Sequence, residues 1–338
     1  MNWNREHKRA LGAKLAAIKP FDPYHSPLCT CPPKLTLNVY TGCGTECVYC
    51  YTSSYAYGRW GRSAGTWGPR VDVVRKVERD IERIAREPAL AELRGLPVVL
   101  SLSSDPYPNS PGIAESELGL TRRCLELLAG AGFPLLVQTK SDLVVRDLDV
   151  LPVGRSVVGM TITTADKTVA ARLEPYCPPP DRRLAALAEA AKRGHRTVCR
   201  IDPLVPGVND AERPVAELVA MLADVGVNHV VSSTFKARAD SAARLAREFP
   251  EAAADAEPLW ADRVAGYRYL HEHERSRRME MVRSLTERAG MSFSCCREGL
   301  PGLNAESCDG QHLLRRPEPD GAPDRNGGNT RRENEETT

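Results

Sequence analysis

The sequence predicts an α/β protein built as a partial (β/α)6 TIM-like barrel with a C-terminal extension. Three observations predict it. Short apolar runs alternate with longer amphipathic segments through the middle of the chain. The runs have strand length and the segments have helical spacing. No internal repeat of the kind that builds a solenoid interrupts them. Strands that alternate with helices make βα units and hence a parallel sheet.

The elements follow in order. Leu35–Tyr40 reads as a first strand, and Asp72–Arg86 as a helix with Val73, Val74, Val77, Ile81 and Ile84 on one face. Pro97–Leu102 is a second strand and Glu115–Ala129 a second helix. Leu135–Thr139 is a third strand, followed by a short connection rich in Asp and Val. Val157–Ile162, Thr197–Ile201 and His229–Ser233 continue the strands, with helices at Arg182–Lys192 and Val215–Val225 between them. Trp260–Ala289 reads as one long charged helix, and Met291–Ser294 as a last strand leading into Cys295. The chain then divides into an N-terminal extension (1–30), the barrel (31–290), a cysteine-containing segment (291–314) and a tail (315–338). That tail has no aromatic residue and no apolar period, the signature of disorder.

With 338 residues, 42% of them hydrophobic, the chain can bury one sizeable core. Its 46 basic and 44 acidic residues leave a formal charge of +2. A general nucleic-acid binder is usually more basic. No run approaches the ~20 apolar residues of a membrane span. Met1 to Lys19 lacks the apolar stretch of a secretory signal. A reducing, cytoplasmic setting follows as an expectation. There, the clustering of the eleven cysteines points to metal sites before disulfides.

In barrels of this kind, chemistry collects in the loops after the strands. Directly after the first strand comes Cys43-Gly-Thr-Glu-Cys47-Val-Tyr-Cys50. Three thiolates on a tight loop can hold three irons of a [4Fe–4S] cluster and leave the fourth open to a chelating small molecule. Gly42 and Gly44 allow the backbone to bend around it. Zinc is the competing ligand, but structural zinc sites usually take four donors from paired motifs, and this triplet has no matching pair.

The segment TLNVYTGCGTECVYCYTSSY resembles the radical SAM (S-adenosylmethionine) superfamily, and more narrowly its spore photoproduct lyase-like branch. The resemblance continues through Ser101–Pro111, Thr121-Arg122, Thr139–Asp147, Thr161–Thr164, Leu173–Tyr176 and Ile201–Asp210, spanning about residues 31 to 235. It implies a barrel of the radical SAM type, a [4Fe–4S] cluster and SAM as cofactors, and a one-electron donor such as flavodoxin or ferredoxin. The reaction implied is reductive cleavage of SAM to methionine and a 5′-deoxyadenosyl radical that abstracts a substrate hydrogen. The protein's part is to position the reacting carbon and exclude water. Carried onto these motifs, Tyr49 lies beside the adenine. Ser101, Ser103, Ser104 and Asp105 stand where the family binds the SAM amino group, although its usual Gly-Gly-Glu pattern is replaced here. Lys140 can pair with the SAM carboxylate, and Arg200 can complete the pocket.

Cys295 and Cys296 are adjacent, and Cys308 follows after a short loop. Placed at the barrel mouth, the three suggest a second, auxiliary Fe–S cluster; the bland reading is a pair of buried thiols and one incidental one. Cys29 and Cys31 precede the first strand, which places them near the barrel bottom, where they can form a metal site but read rather as packing the chain entry. Cys124 and Cys199 read as core. Cys177, in the loop after the fourth strand, is a candidate hydrogen-atom donor or a plain loop thiol.

Tyr51–Arg70 interleaves aromatic residues with arginines, a pattern suited either to stacking on a nucleobase or to a lid over the cluster. Two readings of function compete. In one, the enzyme abstracts hydrogen from a small molecule, a nucleoside or natural-product intermediate, with sulfur insertion from the auxiliary cluster as the sharpest version. In the other, it is a DNA repair lyase that splits a thymine adduct. The charge balance and the absence of any need for a second cluster in lyase chemistry favour the first. A non-catalytic electron carrier needs neither a barrel nor pocket motifs.

Overall fold

The computed structural model describes residues 4–21, 26–42, 44–52, 68–110 and 113–314. Its twelve strands are β1 (Lys19–Pro20), β2 (Leu35–Leu37), β3 (Tyr40–Thr41), β4 (Gly68–Pro69), β5 (Val98–Leu100), β6 (Leu135–Thr139), β7 (Ser156–Thr161), β8 (Arg196–Leu204), β9 (His229–Thr234), β10 (Trp260–Val264), β11 (Tyr267–Leu270) and β12 (Ser292–Cys295). Eight form one sheet in the order β1-β2-β5-β6-β7-β8-β9-β12. From β2 to β12 every pairing is parallel; β1 alone pairs antiparallel, on the edge. β1 and β12 are the two ends of this order, so the barrel is partial and open. The expected strands are therefore all present, and the last one extends the sheet beyond residue 290.

The strands are apolar on both faces because both faces are covered. Leu100, Leu135, Val137, Val158, Met160 and Ile201 belong to the main core with the helices. The alternate positions Val99, Leu136, Val157, Val198 and Val231 form a second layer. Leu313, Leu314 and Cys296, from the C-terminal segment, pack on that layer. Gly310 permits the close approach: a Cβ there would lie 2.4 Å from Val198 Cγ2, and its φ is +81°.

The expected helix over Trp260–Ala289 is overturned in its first third. Residues 260–270 form the antiparallel hairpin β10/β11, closed by Ala265-Gly266, both at positive φ. That two-residue turn matches the twist of paired strands, and Trp260, Tyr267 and Tyr269 bury their rings in it. The charged helix begins only at Glu272 and ends at Arg288. The second expected helix is broken by Gly119 into Glu115–Leu118 and Leu120–Gly130. The first strand stops at Leu37, with Tyr40–Thr41 pairing separately to β4. Among the described residues, no helix is long and apolar enough to cross a membrane.

The N-terminal segment is tied down by one buried carboxylate. Asp80, on the helix Val73–Arg86, accepts the backbone N–H groups of Ala16, Ala17 and Ile18 at 2.6–3.0 Å. The tail at 315–338, Cys43 and residues 53–67 of the aromatic stretch lie outside the described residues.

Candidate active site

The loops after β2, β5, β6, β9 and β12, with the C-terminal end of β8, converge on one cleft of about 300 Å³. This is the C-terminal end of the parallel strands, where an α/β sheet places its ligands. Cys47 and Cys50, both described members of the cysteine loop, line it. The loop is held from three sides. The Val48 N–H donates to the Leu173 carbonyl at 2.9 Å. Arg244, on the helix Ala239–Glu248, donates to the carbonyls of Val48 (2.9 Å) and Cys50 (2.6 Å). Gly44, at φ +66°, presses against Ser110, whose Oγ would lie 1.7 Å from any Cβ. A side chain at position 44 would push the loop off its seat.

The turn after β5 uses most of its polar groups internally. Ser103 donates from N and Oγ to Asn38 Oδ1 (3.1 and 3.0 Å), and Ser104 Oγ donates to the Tyr40 carbonyl (3.1 Å). Asp105 accepts from the Tyr107 N–H (2.9 Å), Thr139 Oγ1 (2.6 Å) and the Lys140 N–H (2.8 Å). Its carboxylate thus fixes the end of β6. Ser101 differs: it sits at φ +58°, is buried, lines the cleft, and its hydroxyl has no hydrogen-bond partner among the described residues. A buried polar atom without a partner is costly.

Lys140 lies between the cleft and a second cavity of about 680 Å³. Its ammonium stands 5.7 Å from the centre of the Tyr49 ring. Burial pulls its pKa down, but Cys47, Glu174, Cys177 and Asp105 outweigh burial and hold it above its ordinary value. Tyr49 donates its hydroxyl to Glu174, a fully buried carboxylate that also pairs with Arg183 at 2.5 Å. Burial, then Glu174, push the Tyr49 phenol up and keep it protonated.

Cys177 stands in the second cavity beside Lys140, and its thiol hydrogen-bonds to Cys47. That bond lowers Cys47 to about 7, against burial and with help from Lys140. A lowered pKa favours the thiolate that binds metal. Arg200, on β8, lines the cleft and pairs with Asp202 at 2.5 Å. It also lies beside Cys296.

Three of the remaining cysteines, Cys295, Cys29 and Cys31, are not where their sequence positions implied. Cys296 and Cys308 line the cleft, whereas Cys295 turns into the main core, its thiol against the Leu300 carbonyl (3.4 Å) and Asn304 Oδ1 (3.1 Å). Adjacent residues of a strand point to opposite faces, so one of the pair had to turn away. Cys29 and Cys31, expected at the barrel bottom, line the same cleft. The Cys31 and Cys308 sulfurs are 3.1 Å apart. The cause is a clasp between segments far apart in sequence: Lys34 pairs with Asp309, Gln311 Nε2 donates to the Pro33 carbonyl (3.2 Å), and Asn304 Nδ2 donates to Thr30 Oγ1 (3.3 Å). Cys124 and Cys199 are fully buried in the core.

Sequence reasoning missed Arg244, Glu174, Arg183, Lys236 and Arg297. Their signal is long-range partnership, which no local spacing carries. Lys236 pairs with the buried Glu298 at 2.6 Å, and both Lys236 and Arg297 line the cleft.

Residues 37–230 match the radical SAM superfamily. An uncharacterized protein of Methanocaldococcus jannaschii is 30% identical over 209 residues, covering 60% of this chain and 71% of that protein. Another, of Mycobacterium tuberculosis, is 27% identical over 209 residues, covering 59% of this chain and 58% of that protein. A solved structure of spore photoproduct lyase with bound S-adenosylmethionine and dinucleoside spore photoproduct is similar with a TM-score of 0.57 and 17% identity, over 87% of this chain and 85% of that one. Streptococcus suis SuiB bound to S-adenosylmethionine is similar with a TM-score of 0.50 and 13% identity, over 77% of this chain and 49% of that one. At these identities the structural likeness is one of fold.

Proposed function

Because the chain belongs to the radical SAM superfamily, we propose that this cleft holds a [4Fe–4S] cluster with SAM and that the enzyme abstracts hydrogen from a small-molecule substrate, a nucleoside or natural-product intermediate. One observation carries the reading. Cys47 and Cys50 open onto the same cleft as the unpartnered Ser101 hydroxyl and the half-buried Lys140 ammonium. The donor set suits the cofactors: thiolates for iron, a cation for a carboxylate, and a free hydroxyl for an amino group.

In this reading Cys43, Cys47 and Cys50 ligate the cluster. When bound, cluster and SAM together supply a 5′-deoxyadenosyl radical that removes a substrate hydrogen. The chain's residues do the rest. Lys140 orients the carboxylate of SAM, and Ser101 accepts a hydrogen bond from its amine. Tyr49, locked by Glu174, gives a flat wall for the adenine. Asp105, Ser103 and Ser104 hold the turn that carries Ser101 and the end of the strand that carries Lys140. Arg200 bounds the far side. Residues 31–290 act as the catalytic barrel, and a one-electron donor such as flavodoxin or ferredoxin is the required partner.

The fold likeness to spore photoproduct lyase supports a second reading, a repair lyase that splits a thymine adduct. Cys177, the candidate hydrogen-atom donor, lines the second cavity and is engaged by Cys47. A donor thiol must reach the substrate radical, so this placement favours the small-molecule reading. Sulfur insertion is its sharpest version and depends on a second cluster.

The test is SAM cleavage by anaerobically reconstituted, dithionite-reduced protein. Formation of 5′-deoxyadenosine, lost in Cys47→Ala, is expected; no 5′-deoxyadenosine from a protein that holds its cluster overturns the reading. Stimulation by dinucleoside spore photoproduct, with release of thymidylyl-thymidine, decides for the lyase.

A further inference from the structure

We infer that Cys29, Cys31, Cys296 and Cys308 form a second iron–sulfur site in the same cleft. Four thiols from three separate segments meet there. Cys31 and Cys308 are in sulfur–sulfur contact at 3.1 Å. Cys29 lies two residues before Cys31 and interacts with it, and Cys296 is close enough to both Cys29 and Cys308 to interact with them electrostatically. All four line the cleft that also holds Cys47 and Cys50.

The surroundings are those of an anionic group. Lys34, buried and beneath these thiols, faces Cys31, Cys308 and Asp309. Arg200 and Arg297 both lie beside Cys296. Neutral buried thiols pack against apolar side chains, as Cys124 does, and need no such cations. A disulfide is neutral too. Lys34 and Arg200 already pair with Asp309 and Asp202, and these cations together with Arg297 suit thiolates bound to metal better than neutral thiols.

Among the described residues, no group of three or more Cys, His, Asp or Glu side chains is placed to hold a metal ion as the side chains stand, so the four thiols must rearrange to bind one. Zinc needs its four donors converging on one centre at about 2.3 Å. In a [4Fe–4S] cluster each thiolate binds its own iron, so the four sulfurs stand farther apart. Cys31 and Cys308 separate by side-chain rotation to reach it.

The assignment replaces Cys295 with Cys29 and Cys31 and completes a four-cysteine set. Its use as an auxiliary cluster rests on the function proposed above; its presence does not. The test therefore starts from the Cys43/Cys47/Cys50→Ala variant, which has no SAM-binding cluster, reconstituted anaerobically. About four irons and four sulfides per chain are expected to remain, with a [4Fe–4S] Mössbauer signature. Adding C29S, C31S, C296S and C308S should take this to near zero, whereas Cys295→Ala should leave it unchanged. Single C29S or C308S substitutions, with circular dichroism matching the parent, guard against simple misfolding and should each lower iron retention at least tenfold in a chelator challenge. Retained zinc without iron, no metal at all, a Cys31–Cys308 disulfide in anaerobically purified protein, or equal loss from Cys295→Ala would each overturn the assignment. SAM cleavage by wild type is scored separately, so the two proposals fail independently.

Discussion

Arg244 donates to the backbone carbonyl of Cys50 at 2.6 Å and, through its Nε, to that of Val48 at 2.9 Å. A guanidinium from a helix nearly two hundred residues away thus shapes the cysteine loop. Its planar fork fits two carbonyls at once, which an ammonium cannot do. Arg244→Ala should leave both carbonyls without their donor and cost about 1.5–3 kcal/mol of local stability. The expected signature is faster loss of the loop's cluster to a chelator, followed by its visible absorbance, with a fall in SAM cleavage of about tenfold. Arg244→Lys should recover only part of it. Unchanged cluster retention in Arg244→Ala would mean the loop holds itself.

Glu174 and Arg183 form a buried pair, at 0% and 1% side-chain exposure, between the wall that carries Tyr49 and the helix Pro180–Lys192. Removing one partner of such a pair strands a charge. Arg183→Met should cost about 3–5 kcal/mol, read as a shift in the urea midpoint. The double variant Glu174→Gln/Arg183→Met should regain much of that loss, because no buried charge is left unpaired. Equal losses in single and double variants would show that packing, not charge, dominates here.

The sheet was legible because each strand is a compact apolar run bounded by polar residues, as at Leu135–Thr139, where expectation and structure coincide. The hairpin at 260–270 was not, because Asp262, Arg263 and Arg268 mimic the polar face of the charged helix that follows. The signal that tells them apart is Ala265-Gly266, too short to outweigh the run of charge. That Cys47 and Cys50 open onto the cleft was legible from the spacing of their motif and its place after the first strand. The clasp that carries Cys31 to Cys308 was not, since it joins residues 277 apart and depends on Lys34 meeting Asp309. The motif segments after β5 and β6 proved partly architectural: Glu115 accepts from Tyr40, Thr121 and Arg146, and Arg122 and Arg146 both pair with the buried Asp147.

Lys140 is half-buried without an ion pair among the described residues, and its ammonium faces Cys47 and Glu174. Lys140→Met keeps the length and apolar stem of the side chain while removing the charge. SAM affinity, measured by equilibrium dialysis on cluster-loaded protein, should fall about 10- to 100-fold, the range of a lost charge-assisted bond. The melting temperature should change little, because the backbone N–H that Asp105 binds remains. A fall in stability with no change in affinity would make Lys140 structural.

His229 supplies a pH dependence whose sign can be worked out. It lies on β9, fully buried, with Nδ1 2.8 Å from Ser292 Oγ and its ring edge-on to His312 at 4.7 Å. Burial first, then His312 and Arg200, depress its pKa from 6.5 to about 3. Above pH 6.5 the ring is neutral in folded and unfolded chains alike, and stability does not depend on it. As pH falls below 6.5 the unfolded chain takes up a proton that the folded chain refuses. Stability is then lost by up to about 1.4 kcal/mol per pH unit until the folded ring titrates near pH 3. Among the charged and titratable neighbours, Arg200 stays positive throughout and so adds no slope, while His312, itself depressed by burial, steepens the same loss. His229→Phe removes the titration at the cost of the Ser292 hydrogen bond, about 1 kcal/mol at neutral pH. Urea midpoints between pH 7.5 and 5.5 should therefore converge for wild type and variant as the medium is acidified. Parallel curves would locate the acid sensitivity elsewhere in the chain.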